Sequence, residues 1–277
     1  MSVRFSKMHG IGNDFVVLDR RSDPRAPDAA LVRAMADRRT GIGFDQLLTI
    51  EPARDPSCAF RYGIWNADGS PSGQCGNGAR CVAAWLHRDG ALPLGETVRL
   101  ESPSGGVSVR LDGPLEVTVD MGEPVFEPAR VPFQADHDAD HHELDVDGET
   151  LAVGVTSMGN PHAVLVVDDV DAPRIAALGP RITGHPRFPQ QANAGFAQVL
   201  ARDHLRLRVH ERGAGWTQAC GTGACAAVAV LRRRDAVGAE VRVDLPGGSL
   251  AIAWAGPGRT LWMRGPAAFV FEGEWLA

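Results

Sequence analysis

One short pattern occurs twice in this chain, about half of its length apart. Residues 75–79 are Cys-Gly-Asn-Gly-Ala, and residues 220–224 are Cys-Gly-Thr-Gly-Ala. Each pattern leads into an alanine-rich apolar run, and such a run predicts a helix that is buried on most sides. The fold must therefore accommodate a glycine-rich turn and a buried helix twice, which indicates two related halves.

Two further patterns recur in the same order around the cysteines. Residues 12–15 (Gly-Asn-Asp-Phe) match residues 159–162 (Gly-Asn-Pro-His) at an offset of 147, and residues 43–47 match residues 195–199 at an offset of 152. The cysteine patterns themselves are offset by 145. Three matches in order predict the duplication of one long unit rather than a solenoid of short repeats.

Short strand signals dominate the rest of the chain. Several alternate strictly between apolar and polar residues, as in Leu205–Val209, so one face of the sheet is expected to contact water. The predicted helices are fewer: one capped by Asp28, and one after each cysteine pattern. The sequence thus predicts an α/β chain of the α+β kind, with two pseudo-symmetric domains, each a mostly antiparallel sheet or barrel wrapped around a central helix. The domains are expected at residues 1–120, completed by residues 266–277, and at residues 121–265.

The composition argues against several classes of function. The formal net charge is −6 and Arg232–Arg234 is the one basic cluster, so no nucleic-acid partner is expected. No run approaches about 18 consecutive apolar residues, so no membrane span is expected, and the first residues do not resemble a signal peptide. Five cysteines in a chain of 277 residues indicate reduced thiols rather than a disulfide framework, and we therefore expect a cytoplasmic protein.

The positions of the cysteines favour acid–base chemistry over metal binding. Neither Cys75 with Cys81 nor Cys220 with Cys225 has Cys-x-x-Cys spacing, and the Asp/His-rich stretch 136–143 is typical of an exposed loop, so no metal is predicted. A cysteine at the start of a helix lies beside unpaired backbone N–H groups, which bind carboxylates and favour the thiolate. Two such thiols on opposite faces of one carbon could remove a proton and return one, as stereochemical inversion requires. The sequence has no motif for a dinucleotide or pyridoxal phosphate, so no organic cofactor is predicted.

Seven stretches of the chain, spread over nearly its whole length, resemble the diaminopimelate epimerase family. They are Lys7–Phe15, Gly41–Gln46, Asn66–Ser70, Cys75–Cys81, Gly159–His162, Glu211–Gly213 and Ala219–Gly223. The resemblance implies an isomerase without cofactor or metal that interconverts LL- and meso-diaminopimelate, a small-molecule substrate, on the route to lysine and peptidoglycan. It also implies a homodimer.

The resemblance also assigns roles to particular residues. It implies Cys75 and Cys220 as the acid–base pair, with His162 and Glu211 as further catalytic residues. It implies a substrate site of Asn13, Gln46, Asn66, Gly76, Asn77, Asn160, Asn193, Glu211, Arg212, Gly221 and Thr222, in which the glycine-containing pairs 76–77 and 221–222 hold the α-carboxylate. Two positions depart from the family pattern: Trp216, where many members carry an acidic residue, and Phe271, where many have a tyrosine near dimer contacts.

The chemistry of these side chains agrees with a substrate that is charged at both ends. Arg212 can bind a second carboxylate through two parallel N–H bonds, Glu211 can pair with an ammonium group, and asparagine amides both donate and accept. Each asparagine by itself is equally typical of a turn. Two other interpretations stay open: a racemase of the proline or hydroxyproline type, whose substrate has one carboxylate, and a non-catalytic amino-acid-binding protein.

Overall fold

The computed structural model describes residues 2–73 and 75–276, and its contacts divide the chain into two units. The first unit comprises the chain through Asp120 together with the segment from Arg264 onward. The second unit is Met121–Met263. The predicted α+β class is confirmed, because few helices pack against extensive sheet structure.

The elements follow one another in a similar order in the two units. Up to residue 120 they are β1 (Ser2–Gly10), β2 (Asn13–Asp19), α1 (Ala29–Ala36), β3 (Gln46–Pro52), β4 (Phe60–Asn66), α2 (Gly76–Arg88), β5 (Thr97–Ser102), β6 (Gly105–Gly113) and β7 (Glu116–Asp120). A short 3-10 turn, Pro128–Arg130, precedes the remaining elements. These are β8 (His142–Val146), β9 (Glu149–Ser157), β10 (Pro161–Val166), α3 (Pro173–Thr183), β11 (Asn193–Ala201), β12 (His204–Glu211), β13 (Gly215–Trp216), α4 (Gly221–Arg233), β14 (Glu240–Leu245), β15 (Gly248–Ala253), β16 (Trp262–Pro266) and β17 (Ala268–Leu276).

The strand pairings of the first unit alternate in direction. β1 and β2 form an antiparallel hairpin, β2 pairs in parallel with β3, and β3 pairs antiparallel with β4. A second parallel pair, β4–β5, leads to the antiparallel pairs β5–β6 and β6–β7, and β17 adds to β1. Each parallel pair is joined by a crossover that contains a helix, α1 or α2, as parallel neighbours require.

The second unit repeats this pattern of pairings. β9–β10 is antiparallel, β10–β11 parallel, β11–β12 antiparallel, β12–β14 parallel and β14–β15 antiparallel. The helices α3 and α4 occupy the same two crossovers as α1 and α2. The same alternation of five pairings in both units is the topological counterpart of the repeated sequence patterns.

The strand register defines which residues of the two units are equivalent. Phe15 lies opposite Gln46 in β2–β3, and His162 lies opposite Asn193 in β10–β11. Both members of the second pair follow the first pair at the same offset of 147 residues, so Gln46 is equivalent to Asn193. The predicted match between residues 43–47 and 195–199 is therefore wrong by five residues. An odd shift along a strand would exchange its two faces, so it could not have preserved the packing.

The helices α2 and α4 are the buried centres of their units. In α2 every residue from Gly76 to Ala84 is buried, and in α4 every residue from Gly223 to Leu231 is buried. Cys75 and Cys220 are the N-cap residues of these helices, both with an extended backbone. The repeated pattern therefore places one cysteine at the N-terminus of each central helix.

The helix α3 has no counterpart in the sequence-based prediction. It contains Pro180, which follows Gly179, and this dipeptide is normally a signal for a turn. The helix forms because Ile175, Leu178 and Ile182 bury an apolar face against the second unit's core. Tertiary packing here outweighs the local cost of a proline within a helix.

Candidate active site

A tight hairpin turn positions Asn13 in the first unit. Gly10 pairs with Asn13, and the two residues between them, Ile11 and Gly12, have φ angles of 46° and 89°. Two consecutive positive φ angles are typical of a type I′ turn, whose twist matches the flanking strands. The equivalent hairpin β9–β10 contains Gly159, with φ of 88°, and carries Asn160 directly before β10.

Cys75 lies among polar groups at the start of α2. Its Sγ accepts a hydrogen bond from the backbone N–H of Gly78 at 3.4 Å and lies 3.7 Å from Asn13 Oδ1. Asn77 Nδ2 donates to the same oxygen of Asn13 at 3.2 Å. The Cys75 sulfur therefore has both a donor and an acceptor beside it. The residue is only half-buried.

The remaining predicted residues of the first unit lie on adjacent strands. Gln46 at the start of β3 pairs with Asn66 at the end of β4, and Gln46 Nε2 donates to Asn66 Oδ1 at 3.1 Å. Asn66 Nδ2 in turn donates to Ser70 Oγ at 3.1 Å. These bonds fix the orientation of the two amides, one at the start of β3 and one at the end of β4.

Cys220 in the second unit has a different environment. It is buried, and burial together with the negative charge and hydrogen bonding of Glu211 raises the pKa of its thiol well above the ordinary value. Its Sγ lies 3.7 Å from Thr222 Oγ1. Glu211 also accepts a hydrogen bond from Thr217 Oγ1 at 2.5 Å. Cys220 therefore carries its proton in the resting unit, with a carboxylate close to it.

His162 is buried beside Asn160. Burial, and then the charge of Arg212, lower the pKa of His162 to about 3, so the imidazole is neutral at physiological pH. Its Nε2 lies 2.9 Å from Asn160 Oδ1, and Asn160 Nδ2 lies 3.3 Å from Thr222 Oγ1. His162 thus connects to the first turn of α4 through Asn160.

Asn193 and Arg212 complete the second group. Asn193 is buried at the start of β11, and its Oδ1 accepts a hydrogen bond from the backbone N–H of Arg212 at 2.8 Å. Continuing the β11–β12 register by one residue places Asn193 beside Glu211. The side chain of Arg212 is exposed and donates to the carbonyl of Gln190 at 2.8 Å.

The predicted site residues thus form one group in each unit. The first group is Asn13, Gln46, Asn66, Cys75, Gly76 and Asn77, and the second is Asn160, His162, Asn193, Glu211, Arg212, Cys220, Gly221 and Thr222. The sequence contains five asparagines, and all five belong to these groups. Because an amide group both donates and accepts hydrogen bonds, it suits a zwitterionic ligand.

Two polar residues of these groups were absent from the sequence-based site. Asp45 accepts a hydrogen bond from Asn13 Nδ2 at 2.8 Å, and Thr217 bonds to Glu211. Asp45 precedes Gln46 in the family-like stretch Gly41–Gln46, and the sequence could have indicated it for that reason. Thr217 lies three residues before Cys220 in no pattern of its own, so only the structure reveals it.

The two departures from the family pattern have clear packing roles. The Trp216 ring packs at 5.7 Å from Phe196 and 5.3 Å from His210, measured between ring centroids. The Phe271 ring meets that of Phe5 edge-on at 5.8 Å.

The other cysteines are buried. Cys58, Cys81 and Cys225 all lie in the interior, and burial raises the pKa of Cys81 to about 12. Across residues 2–73 and 75–276, no three histidine, cysteine, aspartate or glutamate side chains cluster in a way that could hold a metal ion. None of the helices in the described part of the chain has the length and apolar character needed to cross a bilayer.

The architecture is shared with solved structures of epimerases and related proteins. A hydroxyproline epimerase from Agrobacterium vitis superposes with a TM-score of 0.71 at 17% identity, covering 99% of this chain and 92% of that one. A phenazine biosynthesis protein from Bacillus anthracis gives 0.71 at 14% identity and covers all of both chains. At these identities the likeness defines the fold class, an α+β fold with two similar units.

Sequence comparison narrows this class to one family. The family model described as diaminopimelate epimerase matches residues 5–127 and 154–270. A diaminopimelate epimerase from Aromatoleum aromaticum is 55% identical over 99% of both chains, and one from Alkalilimnicola ehrlichii is 53% identical over 99% of both. The chain belongs to the diaminopimelate epimerase family, and the family and isomerase class predicted from the sequence motifs are confirmed.

Proposed function

We propose that this enzyme interconverts LL- and meso-diaminopimelate, with Cys75 and Cys220 as the groups that move the proton. The observation that carries the proposal is the cysteine at the N-cap of the central helix in each of two equivalent units, in a member of this family. The product serves lysine biosynthesis, as the family implies. We propose that the two units are the two epimerase halves expected from the repeat.

The chemistry consists of two proton transfers at one carbon. One cysteine, as thiolate, takes the α-proton, and the electron pair of the broken C–H bond stays on the α-carbon. The other cysteine, as thiol, gives its proton to the opposite face and becomes the thiolate. The configuration at that carbon inverts while the enzyme keeps one proton in total.

Backbone N–H groups at the two helix starts support this chemistry. The first N–H groups of a helix have no partner within it, so those at Gly76–Asn77 and Gly221–Thr222 can bind the α-carboxylate. Negative charge that moves from the carbanion onto this carboxylate is stabilised by the same donors. No metal or organic cofactor takes part in the proposed steps.

The remaining residues suit the other charged groups of the substrate. Arg212 is exposed and can bind the second carboxylate, and Glu211 can pair with an ammonium group. Asn66, Asn160 and Asn193 supply amide groups, which both donate and accept hydrogen bonds. His162 is neutral and acts as a hydrogen-bonding partner of Asn160 rather than as the proton carrier.

Deuterium exchange separates this function from the two alternatives. In D₂O the enzyme is expected to convert LL-diaminopimelate to the meso form with deuterium at the inverted carbon, and to leave L-proline unlabelled. The double variant Cys75→Ala/Cys220→Ala is the matched control for spontaneous exchange. Labelled proline would favour a racemase of the proline type, and tight diaminopimelate binding without label would favour a binding protein.

We also propose that two copies associate through strand β17 and that the enzyme works in the cytoplasm. Val270, Phe271 and Leu276 on this strand are 54%, 47% and 80% exposed, an apolar set that a second copy would cover. An odd number of cysteines, five in 277 residues, favours a reducing compartment over a disulfide framework.

The substitution Val270→Glu should shift the protein from dimer to monomer in sedimentation velocity. A charge placed on the covered strand would be costly to bury without a partner. Leu94→Glu is the matched control, because Leu94 is 47% exposed in the same unit but lies outside β17. A wild-type chain that sediments as a monomer, or a Val270→Glu variant that stays dimeric, would contradict the assembly through β17.

A further inference from the structure

The equivalent asparagines of the two units have different partners. Asn160 lies between His162 Nε2 and Thr222 Oγ1, and both of those groups can either donate or accept a hydrogen bond. Asn13 instead places its Nδ2 2.8 Å from Asp45 Oδ2. A carboxylate oxygen accepts and has no hydrogen to donate, so the Asn13 amide can meet Asp45 only through its NH₂ group.

This restriction determines which end of the Asn13 amide faces Cys75. With its NH₂ group on Asp45, the carbonyl Oδ1 faces α2, where it accepts from Asn77 Nδ2 at 3.2 Å and lies 3.7 Å from Cys75 Sγ. The Cys75 thiol can donate its hydrogen to this oxygen, so the contact favours the protonated sulfur. The reverse orientation would turn an N–H toward the sulfur and favour the thiolate.

Asp45 is itself held by a closed set of charged groups. Arg38 Nη2 donates to Asp45 Oδ1 at 2.8 Å and to Asp14 Oδ1 at 2.7 Å. The backbone N–H of Asp45 donates to Asp14 Oδ1 at 2.9 Å, and that of Asp14 donates to Asp45 Oδ2 at 3.2 Å. Lys7 pairs with Asp14 at 2.5 Å. Although burial opposes it, the hydrogen bonds from Arg38 and Lys7 lower the pKa of Asp14 to about 2, so this carboxyl group stays charged.

We propose that Asp45 is a positioning residue for Cys75: it fixes the Asn13 amide with its carbonyl toward the sulfur and so keeps this thiol supplied with a hydrogen-bond acceptor. The second unit achieves no such restriction at Asn160, because neither partner there is a carboxylate. The role of Asp45 in catalysis rests on the proposed function, whereas the orientation of the Asn13 amide does not depend on it.

Amide NMR tests the orientation directly. The chain has five asparagines, so labelling them with ¹⁵N in the side chain gives five NH₂ signals, and the pair lost in Asn13→Ala identifies Asn13. In Asp45→Ala the Asn13 signal should shift strongly and that of Asn77 more weakly. Unchanged signals from Asn66, Asn160 and Asn193 report that the fold is intact. An Asn13 signal that does not move would overturn the proposal.

Alkylation of Cys75, which needs no substrate, tests whether the Asn13 orientation favours the protonated thiol. Iodoacetamide labelling at pH 7, followed at Cys75 by peptide mass spectrometry, should become about three- to tenfold faster in Asp45→Ala, the size expected for one hydrogen bond. Asp23→Ala removes a carboxylate of similar exposure that pairs with Arg25, and it should leave the rate unchanged. No acceleration in Asp45→Ala would count against the proposal.

A double variant separates positioning from a plain charge effect. If Asp45 acts through Asn13, then Asp45→Ala should change the alkylation rate no further in an Asn13→Ala background. If the acceleration persists there in full, Asp45 acts through its charge alone and the positioning role is wrong. These measurements use free protein, so a failure of the wild-type enzyme to epimerise diaminopimelate would overturn the proposed function and leave this result standing.

Discussion

Cys75→Ala and Cys220→Ala are each expected to lose epimerisation while they keep slow exchange of the α-proton, and they should prefer opposite stereoisomers. In the proposed mechanism each remaining thiol reaches only one face of the α-carbon, so it can remove a proton from the stereoisomer that presents its hydrogen there. Inversion then lacks a proton donor on the other face. The loss of epimerisation should be about 10²- to 10⁴-fold, the usual contribution of a positioned acid–base group.

Deuterium incorporation followed by NMR, with both variants on both stereoisomers, measures this division of labour. Cys58→Ala is the matched control, since Cys58 is a buried cysteine with no role in the proposed chemistry and should keep its activity. Near wild-type epimerisation by either variant would refute the two-thiol mechanism. A shared preference for one stereoisomer would show that the two thiols do not act on opposite faces.

Glu211→Gln is expected to lower the pKa of the Cys220 thiol and to reduce epimerisation about 100-fold or more, because it changes the pKa of one of the two acid–base groups. After burial, the charge and hydrogen bonding of Glu211 are the causes that raise this pKa. A raised thiol pKa keeps the neutral form to higher pH. Removing the carboxylate therefore moves the onset of Cys220 alkylation to lower pH, while burial keeps the pKa above its ordinary value.

The measurement is the rate of Cys220 alkylation against pH, with the epimerisation rate recorded on the same samples. Glu149→Gln is a suitable control, because Glu149 is an exposed carboxylate of the same unit that pairs with Arg174 and has no contact with Cys220. An unchanged or upward-shifted profile in Glu211→Gln would refute the role assigned to this carboxylate.

The repeated cysteine pattern predicted the two central helices well. Glycine and alanine after each cysteine, followed by an apolar run, specify a helix start and a buried helix through local chemistry alone. The helices begin at Gly76 and Gly221, directly after the cysteines. The short alternating runs likewise predicted strands, because the side-chain period of two is a local property.

Equivalence between the units could not be obtained from the short patterns alone. The match of residues 43–47 to 195–199 compared residue types. The hydrogen-bonded register compares positions on a sheet, and it makes Gln46 the equivalent of Asn193. Helix α3 was missed for a related reason. A local signal for a turn at Gly179–Pro180 was outweighed by contacts with residues distant in the sequence.

The sequence by itself determined the family and the α+β class, and it predicted a set of polar site residues, because these depend on residue type, spacing and local periodicity. Tertiary structure alone decided the thiol pKa and the amide orientation in these groups. The raised pKa of Cys220 comes from burial and from Glu211, nine residues earlier on strand β12. The orientation of Asn13 comes from Asp45, which is brought to it by the parallel pairing of β2 with β3. Burial and hydrogen-bond direction are properties of contacts between separate strands and helices, and only the folded chain defines them.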